Sequence, residues 1–272
     1  MHNARSIVGA TLVAAAAALT LAHPAQAQTF TDKTINGSDN IYGAGNSLSP
    51  IPQPGGNYGG TYATTYNLFN LNGGSGRVLT FSSVTGLVTP DADAQDVGPD
   101  GGEVLQQYIP GGARTNLQSY QGISGMVNND VNHAFALTGV FIGSAAPADP
   151  APARLDFTGH EGDAAFAPLL DQTFFIGDGL TGTSSGDVQK FYVPDSATAL
   201  VLGYEDGEYL GDARKVGAAG SAPGFYGDDG GKLKASFHVT CPAVPEPSPA
   251  ALLGIGLAGL AVTRRKRAAR SA

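Results

Sequence analysis

Short strand-like segments, each ended by turn residues, follow one another through most of this chain and limit the folds that it can adopt. Residues 77–84 and 234–240 alternate apolar and polar side chains, and residues 133–143 are almost wholly apolar. Glycine supplies 39 of the 272 residues, roughly twice its usual share, and clusters between these segments. No stretch between the two termini has the period of an amphipathic helix. The pattern predicts an all-β fold, an antiparallel β-sandwich or jelly roll, with apolar helices at the termini alone.

The order of the segments also predicts how neighbours connect. Asn72-Gly73-Gly74 separates residues 61–71 from residues 77–84, which is typical of a hairpin turn. We expect residues 133–143 at the centre of the core, because both faces of that segment are apolar. Further strands are expected at residues 34–45, 173–176, 188–193 and 198–203.

The first 27 residues have the three parts of a secretory signal peptide. Arg5 supplies the positive start, residues 7–21 form an alanine-rich apolar stretch, and Ala25-Gln26-Ala27 is an A-x-A cleavage site. We therefore expect the mature chain to begin at Gln28 and to fold outside the cytoplasm.

The last segment of the chain, residues 244–272, has the parts of a second targeting signal. The box Pro245-Glu246-Pro247 cannot join a regular helix, so it stays extended and accessible to another protein. The apolar run that follows, residues 250–262, is short against the roughly 20 residues that cross a bilayer as a stable helix. Positive residues then end the span and are expected on the cytoplasmic side: Arg264, Arg265, Lys266 and Arg267.

These three elements, in this order, resemble the PEP-CTERM sorting tail. In that family an exosortase in the inner membrane recognises the tail, which is thought to be cut near the Pro-Glu-Pro box. The resemblance implies an anchored precursor in the inner membrane and a final place at the cell surface or in the extracellular matrix. An ordinary tail anchor is the alternative, although an anchor rarely needs the box. The expected division is a signal peptide at residues 1–27, a single β-sandwich domain at 28–243 and the sorting tail at 244–272.

The domain between the two signals is strongly acidic. Six of the 15 basic residues and one of the 23 acidic residues lie in the terminal segments, which leaves 9 basic and 22 acidic side chains in the domain. Such a charge excludes nucleic acid and anionic lipid as partners and favours divalent cations. Cys241 is the single cysteine, so no internal disulfide forms, and no Cys/His spacing typical of zinc is present.

Four short sequences in the second half carry a further resemblance. Residues 175–182 read FIGDGLTG, residues 192–194 YVP, residues 200–203 LVLG and residues 223–229 PGFYGDD. Their succession is similar to the calcium-dependent galactose-binding lectins of the PA-IL type, which are small β-sandwiches. The resemblance implies calcium as a cofactor, carbohydrate of extracellular polysaccharide as the partner, and a site near the last hairpin.

The same resemblance implies which residues form that site. Asp228 and Asp229 match two adjacent asparagines that contribute to calcium and sugar, and Phe225 matches a main-chain oxygen ligand. Ser221 stands where the lectins have an aspartate, so an acidic ligand has to come from elsewhere: Asp206, Glu208 or Asp212. Loop tyrosines are either platforms for a sugar ring or, more simply, covers for turn glycines: Tyr204, Tyr209 and Tyr226. The alternative for Asp228-Asp229 is a polar turn, since Gly-Asp-Asp-Gly favours one by itself.

Other acidic and nucleophilic residues have simpler interpretations. The loop at residues 89–116 contains Asp91, Asp93, Asp96 and Asp100, but it lacks the glycine and the final acid of an EF-hand, which favours a solvated loop. Residues 182–186 fit G-x-S-x-G, yet a strand rather than a helix is expected after them, so a nucleophile elbow is disfavoured.

Histidines give no clearer sign of catalysis. His160-Glu161 with Asp163 is either an acid/base pair or, more simply, a surface patch. His133 and His238 are expected at strand edges, as packing or rim residues. The function predicted is therefore calcium-assisted carbohydrate binding rather than catalysis. A structural matrix protein without a ligand site is the alternative, and an enzyme acting on polysaccharide comes third.

Overall fold

The computed structural model describes residues 25–45, 60–68, 76–92, 94–106, 109–207 and 220–241, and all of these from Gln26 onward belong to one compact unit, Gln26–Pro242. This part of the chain forms sixteen strands and two single-turn 3-10 helices, at Ile41–Gly43 and Val131–His133. The strands are β1 (Gln26–Asn36), β2 (Asp39–Asn40), β3 (Thr61–Tyr62), β4 (Thr65–Asn67), β5 (Val78–Thr89), β6 (Thr115–Asn116), β7 (Met126–Asn128), β8 (Thr138–Ile142), β9 (Leu155–Asp156), β10 (Ala165–Phe166), β11 (Thr173–Phe175), β12 (Leu180–Gly182), β13 (Ser185–Val188), β14 (Lys190–Tyr192), β15 (Ala199–Gly203) and β16 (Gly230–Cys241).

The larger sheet has five strands in the order β1-β16-β5-β14-β10. Strand β16 lies between β1 and β5 and is antiparallel to both. Its buried side chains recur at every second position, Leu233, Ala235, Phe237 and Val239, as a strand with one face on the core requires. The alternation read from residues 77–84 and 234–240 is confirmed by this sheet.

The smaller main sheet has four strands in the order β11-β8-β15-β4. All five residues of β8 and all five of β15 are buried, and Phe141 pairs with Leu200 across them. A strand that is covered on both faces reads as a continuous apolar run. The expected central position of the 133–143 segment is thus confirmed for residues 138–142, while residues 131–133 form a 3-10 turn instead.

The two main sheets share one hydrophobic core. The ring of Tyr66 on β4 meets Phe237 on β16 edge to face, with centroids 5.3 Å apart. Phe174 on β11 packs against Phe191 on β14 at 5.4 Å. Contacts of this kind join the faces of the two sheets, and the predicted all-β class is confirmed. The finer jelly-roll arrangement stays a prediction.

A buried arginine fixes the connection into β15. The Arg77 guanidinium is 2 % exposed, and one of its nitrogens donates to the carbonyl oxygens of Pro194, Asp195 and Ala197 at 2.7, 3.0 and 2.9 Å. These are the carbonyls of the turn between β14 and β15. The Arg77 side chain therefore holds the turn that leads into β15.

The predicted hairpin pairing of residues 61–71 with residues 77–84 is wrong, and Asn72-Gly73-Gly74 lie outside the described residues. Strand β4 pairs with β15 in the four-stranded sheet, whereas β5 pairs with β14 and β16 in the five-stranded sheet. The sequence signal was local, but pairing followed the apolar faces: β4 buries Tyr66 and β5 buries Leu79 and Phe81, on opposite sides of the shared core.

The terminal signals lie largely outside the described residues, and so do the predicted terminal helices. Within the described ranges, no helix is long and apolar enough to cross a membrane. Strand β1 already begins at Gln26 and pairs with the end of β16, Gln28 opposite Val239. Cleavage after Ala27 would therefore leave residues 28–36 of this strand in the mature domain.

Candidate metal centre

The segment that leaves β15 carries a buried aspartate. Residues 204–207 continue from β15 with their side chains buried, and Asp206 is 2 % exposed. Its carbonyl oxygen accepts the N–H of Gly224 at 2.9 Å, and Gly207 pairs with Pro223. A Cβ on Gly207 would lie 2.6 Å from the carbonyl oxygen of Ala222, so glycine is needed for this close pairing. The result is that Asp206 is held against the 223–229 turn.

That turn carries the second and third aspartates. Phe225 has a positive φ of 71°, and its carbonyl oxygen accepts the N–H of Asp228 at 3.4 Å. Asp228 and Asp229 follow directly and precede Gly230, the first residue of β16. The long strand therefore fixes the position of both aspartates at its start.

The three carboxylates meet. Asp206, Asp228 and Asp229 each place one oxygen within 4.8 Å of the other two, and we call this group the oxygen cluster. Asp206 Oδ1 accepts the N–H of Gly207 at 2.7 Å. Among the described residues, no donor reaches Asp206 Oδ2, Asp228 Oδ1 or either carboxylate oxygen of Asp229, although all four atoms are buried. The carboxylates of Asp206 and Asp229 are near enough to form a hydrogen bond if one of them is protonated. When both are ionised, neither has a hydrogen to donate.

The electrostatics of the oxygen cluster oppose full ionisation. Burial raises the pKa of Asp206 and Asp229 well above the usual range, and the surrounding carboxylates raise both further. Burial also raises the pKa of Asp228. Buried like charges of this kind are neutralised by a proton or by a cation.

A fourth aspartate, Asp91, was missed as a member of this group. Its negative charge raises the pKa of Asp206, Asp228 and Asp229. It is brought there because β5 ends at Thr89, which pairs with Gly230, so residues just after β5 lie beside the start of β16. The acidic loop is therefore not a single solvated unit. Asp96 accepts from the Thr89 hydroxyl at 2.5 Å and Asp100 is buried elsewhere, while Asp93 lies outside the described residues.

Tyr226 fixes the backbone of Asp206 through its hydroxyl group. Its hydroxyl accepts the N–H of Asp206 at 3.1 Å and donates to the carbonyl oxygen of Tyr204 at 3.1 Å. The side chains of Tyr226 and Tyr204 are both 0 % exposed. The prediction that either ring offers a face to a sugar is therefore wrong, because the core and the cluster enclose both rings. Tyr209, Glu208 and Asp212 lie outside the described residues.

Glu205, next to Asp206, faces the other way. Successive residues of an extended segment point to opposite sides, and the Glu205 carboxylate accepts the N–H of Met126 at 2.9 Å. Burial raises the pKa of Glu205 to about 7, against hydrogen bonds that lower it. This buried acid therefore belongs to the core side and not to the oxygen cluster.

The donor atoms of the oxygen cluster suit a hard divalent cation. All are oxygens, and Ca²⁺ takes six to eight oxygen ligands at about 2.3–2.6 Å. Asp206, which was one of three alternatives for the missing acid, is the one that the fold brings beside Asp228 and Asp229. Phe225 lies in the same turn, and its part as a main-chain ligand stays a prediction.

Residues considered for catalysis are distributed over separate places. Residues 182–186 form the hairpin between β12 and β13, with Ser184 at a positive φ of 55°. His238 Nε2 contacts the Thr80 hydroxyl at 2.8 Å, across β16 and β5. His160 and Asp163 form an exposed pair at 3.1 Å, but Glu161 is 9 % exposed and points inward. The surface-patch interpretation is thus wrong for Glu161.

The comparisons with known proteins concern the tail. The fold and the oxygen cluster define the class of this protein as an all-β domain with a buried acidic cluster. Residues 243–267 match the PEP-CTERM protein-sorting motif, which confirms the predicted sorting tail. The motif indicates an exported protein that is sorted to the cell surface and processed by an exosortase. No curated protein and no solved structure matches the chain, so the likeness of the domain to lectins stays a prediction.

Proposed function

We propose that this exported surface protein binds Ca²⁺ at Asp206, Asp228 and Asp229, and that the bound cation holds hydroxyl groups of an extracellular carbohydrate. The observation that carries the proposal is the set of four buried carboxylate oxygens that no donor reaches within the described part of the chain. A polar turn alone would leave such oxygens to water or to backbone N–H groups.

The energetic argument favours a cation over an arrangement without one. An unpaired buried carboxylate costs several kcal/mol, and Asp91 adds its charge to the three of the cluster. One divalent cation supplies two positive charges and bonds to several oxygens at once. Calcium sites in extracellular modules bind at about 0.1–1 mM, which suits a protein that works outside the cell.

Carbohydrate is the ligand class that fits the coordination positions of calcium that the protein does not fill. Asp228 and Asp229 are only partly buried as residues, although three of their four carboxylate oxygens are enclosed, so carbohydrate binding requires that the cation keeps a coordination position open on their side. Sugar hydroxyls are neutral oxygens and can complete a coordination shell of six to eight. The resemblance to calcium-dependent lectins points the same way. Direct coordination replaces ring stacking here, since Tyr204 and Tyr226 are enclosed.

A structural function for the cation is the second candidate. Asp206 follows β15 of one main sheet, and Asp228-Asp229 precede β16 of the other. A cation bound by these aspartates would link the two sheets without any carbohydrate. Such a link suits a structural matrix protein. The depth of Asp206, which is 2 % exposed, favours this second function.

Melting of the purified protein in calcium and in a chelator tests the cation. Calcium at about a hundred times its dissociation constant adds roughly 2.7 kcal/mol, which should raise the melting temperature by about 5–10 °C for a chain of this size. Asp229→Asn should remove the shift, whereas Asp187→Asn, an exposed aspartate on β13, should keep it. The absence of a shift in the unmutated protein would overturn the proposal.

Retention on galactose-agarose and on immobilised polysaccharides tests the carbohydrate. Retention that requires calcium and is lost in Asp229→Asn supports the binding function. A calcium shift without retention on any of these supports overturns it and leaves the structural function.

A further inference from the structure

A second group of metal-ligating side chains lies apart from the oxygen cluster. Asp130, His133 and Glu161 each place one ligand atom within 4.8 Å of the others, and we call this group the mixed cluster. Asp130 caps the 3-10 helix Val131–His133, where its Oδ1 accepts the N–H of Asn132 at 2.9 Å. Because one short turn carries both Asp130 and His133, local structure sets two of the three ligands.

The imidazole of His133 is oriented as metal-binding histidines usually are. Its Nδ1 lies 2.9 Å from the carbonyl oxygen of Asp100. A carbonyl oxygen only accepts, so Nδ1 carries the hydrogen and Nε2 keeps its lone pair. The ring also meets Phe175 edge to face at 5.5 Å, which restricts its rotation. The second-shell contact and the packing leave Nε2 as the available ligand atom.

Glu161 supplies a buried carboxylate that lacks a donor. It is 9 % exposed, and within the described ranges no hydrogen bond reaches its Oε1. The Gln189 side-chain amide donates to the carbonyl oxygens of Glu161 and Asp163 at 2.7 and 2.9 Å, which fixes the backbone of this loop. Glu161 and His133 line the same cavity of about 110 Å³. The unpartnered carboxylate is therefore directed at the space beside the histidine.

We propose that the mixed cluster binds a first-row transition metal, Zn²⁺ above all, through Asp130, His133 and Glu161, with a fourth position open to the cavity. One imidazole nitrogen and two carboxylates form a donor set that zinc accepts and that balances its charge. Tetrahedral bonds of about 2.0–2.2 Å place ligand atoms roughly 3.3 Å apart. The three ligand atoms already lie within 4.8 Å of one another, so side-chain displacements of about 1.5 Å or less bring them to the tetrahedral spacing. Water or a small oxygen ligand takes the fourth position.

Isothermal titration of the metal-stripped protein with ZnCl₂ tests this site. We expect one Zn²⁺ per chain, at least tenfold weaker binding in the isosteric variant Glu161→Gln, and a similar loss in His133→Asn. His160→Asn is the matched control, because His160 is the exposed histidine next to Glu161 and pairs with Asp163. Zinc binding that is absent, or that is lost in His160→Asn and kept in Glu161→Gln, overturns the proposal.

Cobalt substitution distinguishes a metal ligand from a structural residue. If Glu161 had only a structural function, Glu161→Gln would not change the absorption of the cobalt-loaded protein. Co²⁺ in a tetrahedral nitrogen and oxygen site absorbs visible light strongly, and we expect this absorption to disappear in His133→Asn and Glu161→Gln. Circular dichroism of each variant checks its fold. Asp229→Asn should leave zinc affinity and cobalt absorption unchanged, so failure of the calcium proposal and failure of the zinc proposal give different results.

Discussion

The oxygen cluster and the mixed cluster each gather three ionisable side chains, but they are assembled differently. In the oxygen cluster, Asp206 follows β15 of one main sheet, and Asp228 and Asp229 precede β16 of the other, so strands of both sheets set the ligands. In the mixed cluster, a single turn supplies Asp130 and His133, and one loop adds Glu161. One cluster is all oxygen and the other contains nitrogen. The difference teaches that donor chemistry would decide which cation each cluster prefers, while the scaffold would decide how strongly binding is coupled to the fold.

The largest effect expected to separate the clusters is in the melting temperature of Asp206→Asn. Its shift relative to the unmutated protein should have opposite signs in calcium and in a chelator. In calcium the variant should melt about 5–10 °C below the unmutated protein, because the calcium contribution of roughly 2.7 kcal/mol is lost. In a chelator it should melt about 2–4 °C above it, because removal of one buried like charge relieves about 1 kcal/mol of repulsion. Differential scanning calorimetry in both buffers measures the two shifts. An equal fall in both buffers would mean that Asp206 acts only through packing.

Two substitutions at Asp130 separate its capping function from metal binding. Asp130→Asn keeps a good N-cap and Asp130→Ala removes it at a cost of about 1 kcal/mol, or about 2–4 °C in melting temperature. Both should weaken zinc at least tenfold, since neither retains the carboxylate. Titration with zinc and melting curves in chelator give the two readouts. Unchanged zinc affinity in Asp130→Asn would remove Asp130 from the ligand set.

The smallest expected effect concerns Tyr226→Phe. Loss of the hydroxyl leaves the Asp206 N–H and the Tyr204 carbonyl without their present partner, so Asp206 is less well positioned. We expect calcium affinity to fall roughly five- to tenfold, about 1 kcal/mol, with zinc affinity unchanged. Tyr192→Phe, at an exposed tyrosine of β14, is the control. Equal zinc weakening in Tyr226→Phe would show that the clusters are coupled.

Local patterns were sufficient to predict several of the strands, and the resemblance to lectins pointed to part of the oxygen cluster. Strands β5, β8, β15 and β16 follow from alternation or from continuous apolar runs. Asp228-Asp229 were identified from a seven-residue turn sequence, and Asp206 as one of three alternatives for the missing acid. These features depend on short stretches whose burial is visible in the sequence itself.

Long-range pairing set the features that the sequence did not reveal. Strand β1 was expected only from residue 34 onward, because Gln26–Asn36 overlaps the signal peptide and is only half buried. Asp91 joins the oxygen cluster through the Thr89–Gly230 pair, and Glu161 meets His133 across 28 residues of chain. The burial of Tyr226 was missed since its loop position indicated exposure. Each of these depends on which distant segment packs against the residue.

The pairing of β1 with β16 places the two ends of the described domain side by side. Gln26 lies opposite Cys241, so the expected signal cleavage point, after Ala27, and the last described residue before the tail are neighbours at one end of the sheet. The oxygen cluster begins at the opposite end of β16, a strand of 12 residues, or roughly 35–40 Å away. Two proteases can therefore trim both chain ends at one pole of the domain while the other pole stays intact. The expected processing points and the proposed cation site therefore lie at opposite ends of one strand, so removal of the tail is not expected to alter the acidic end.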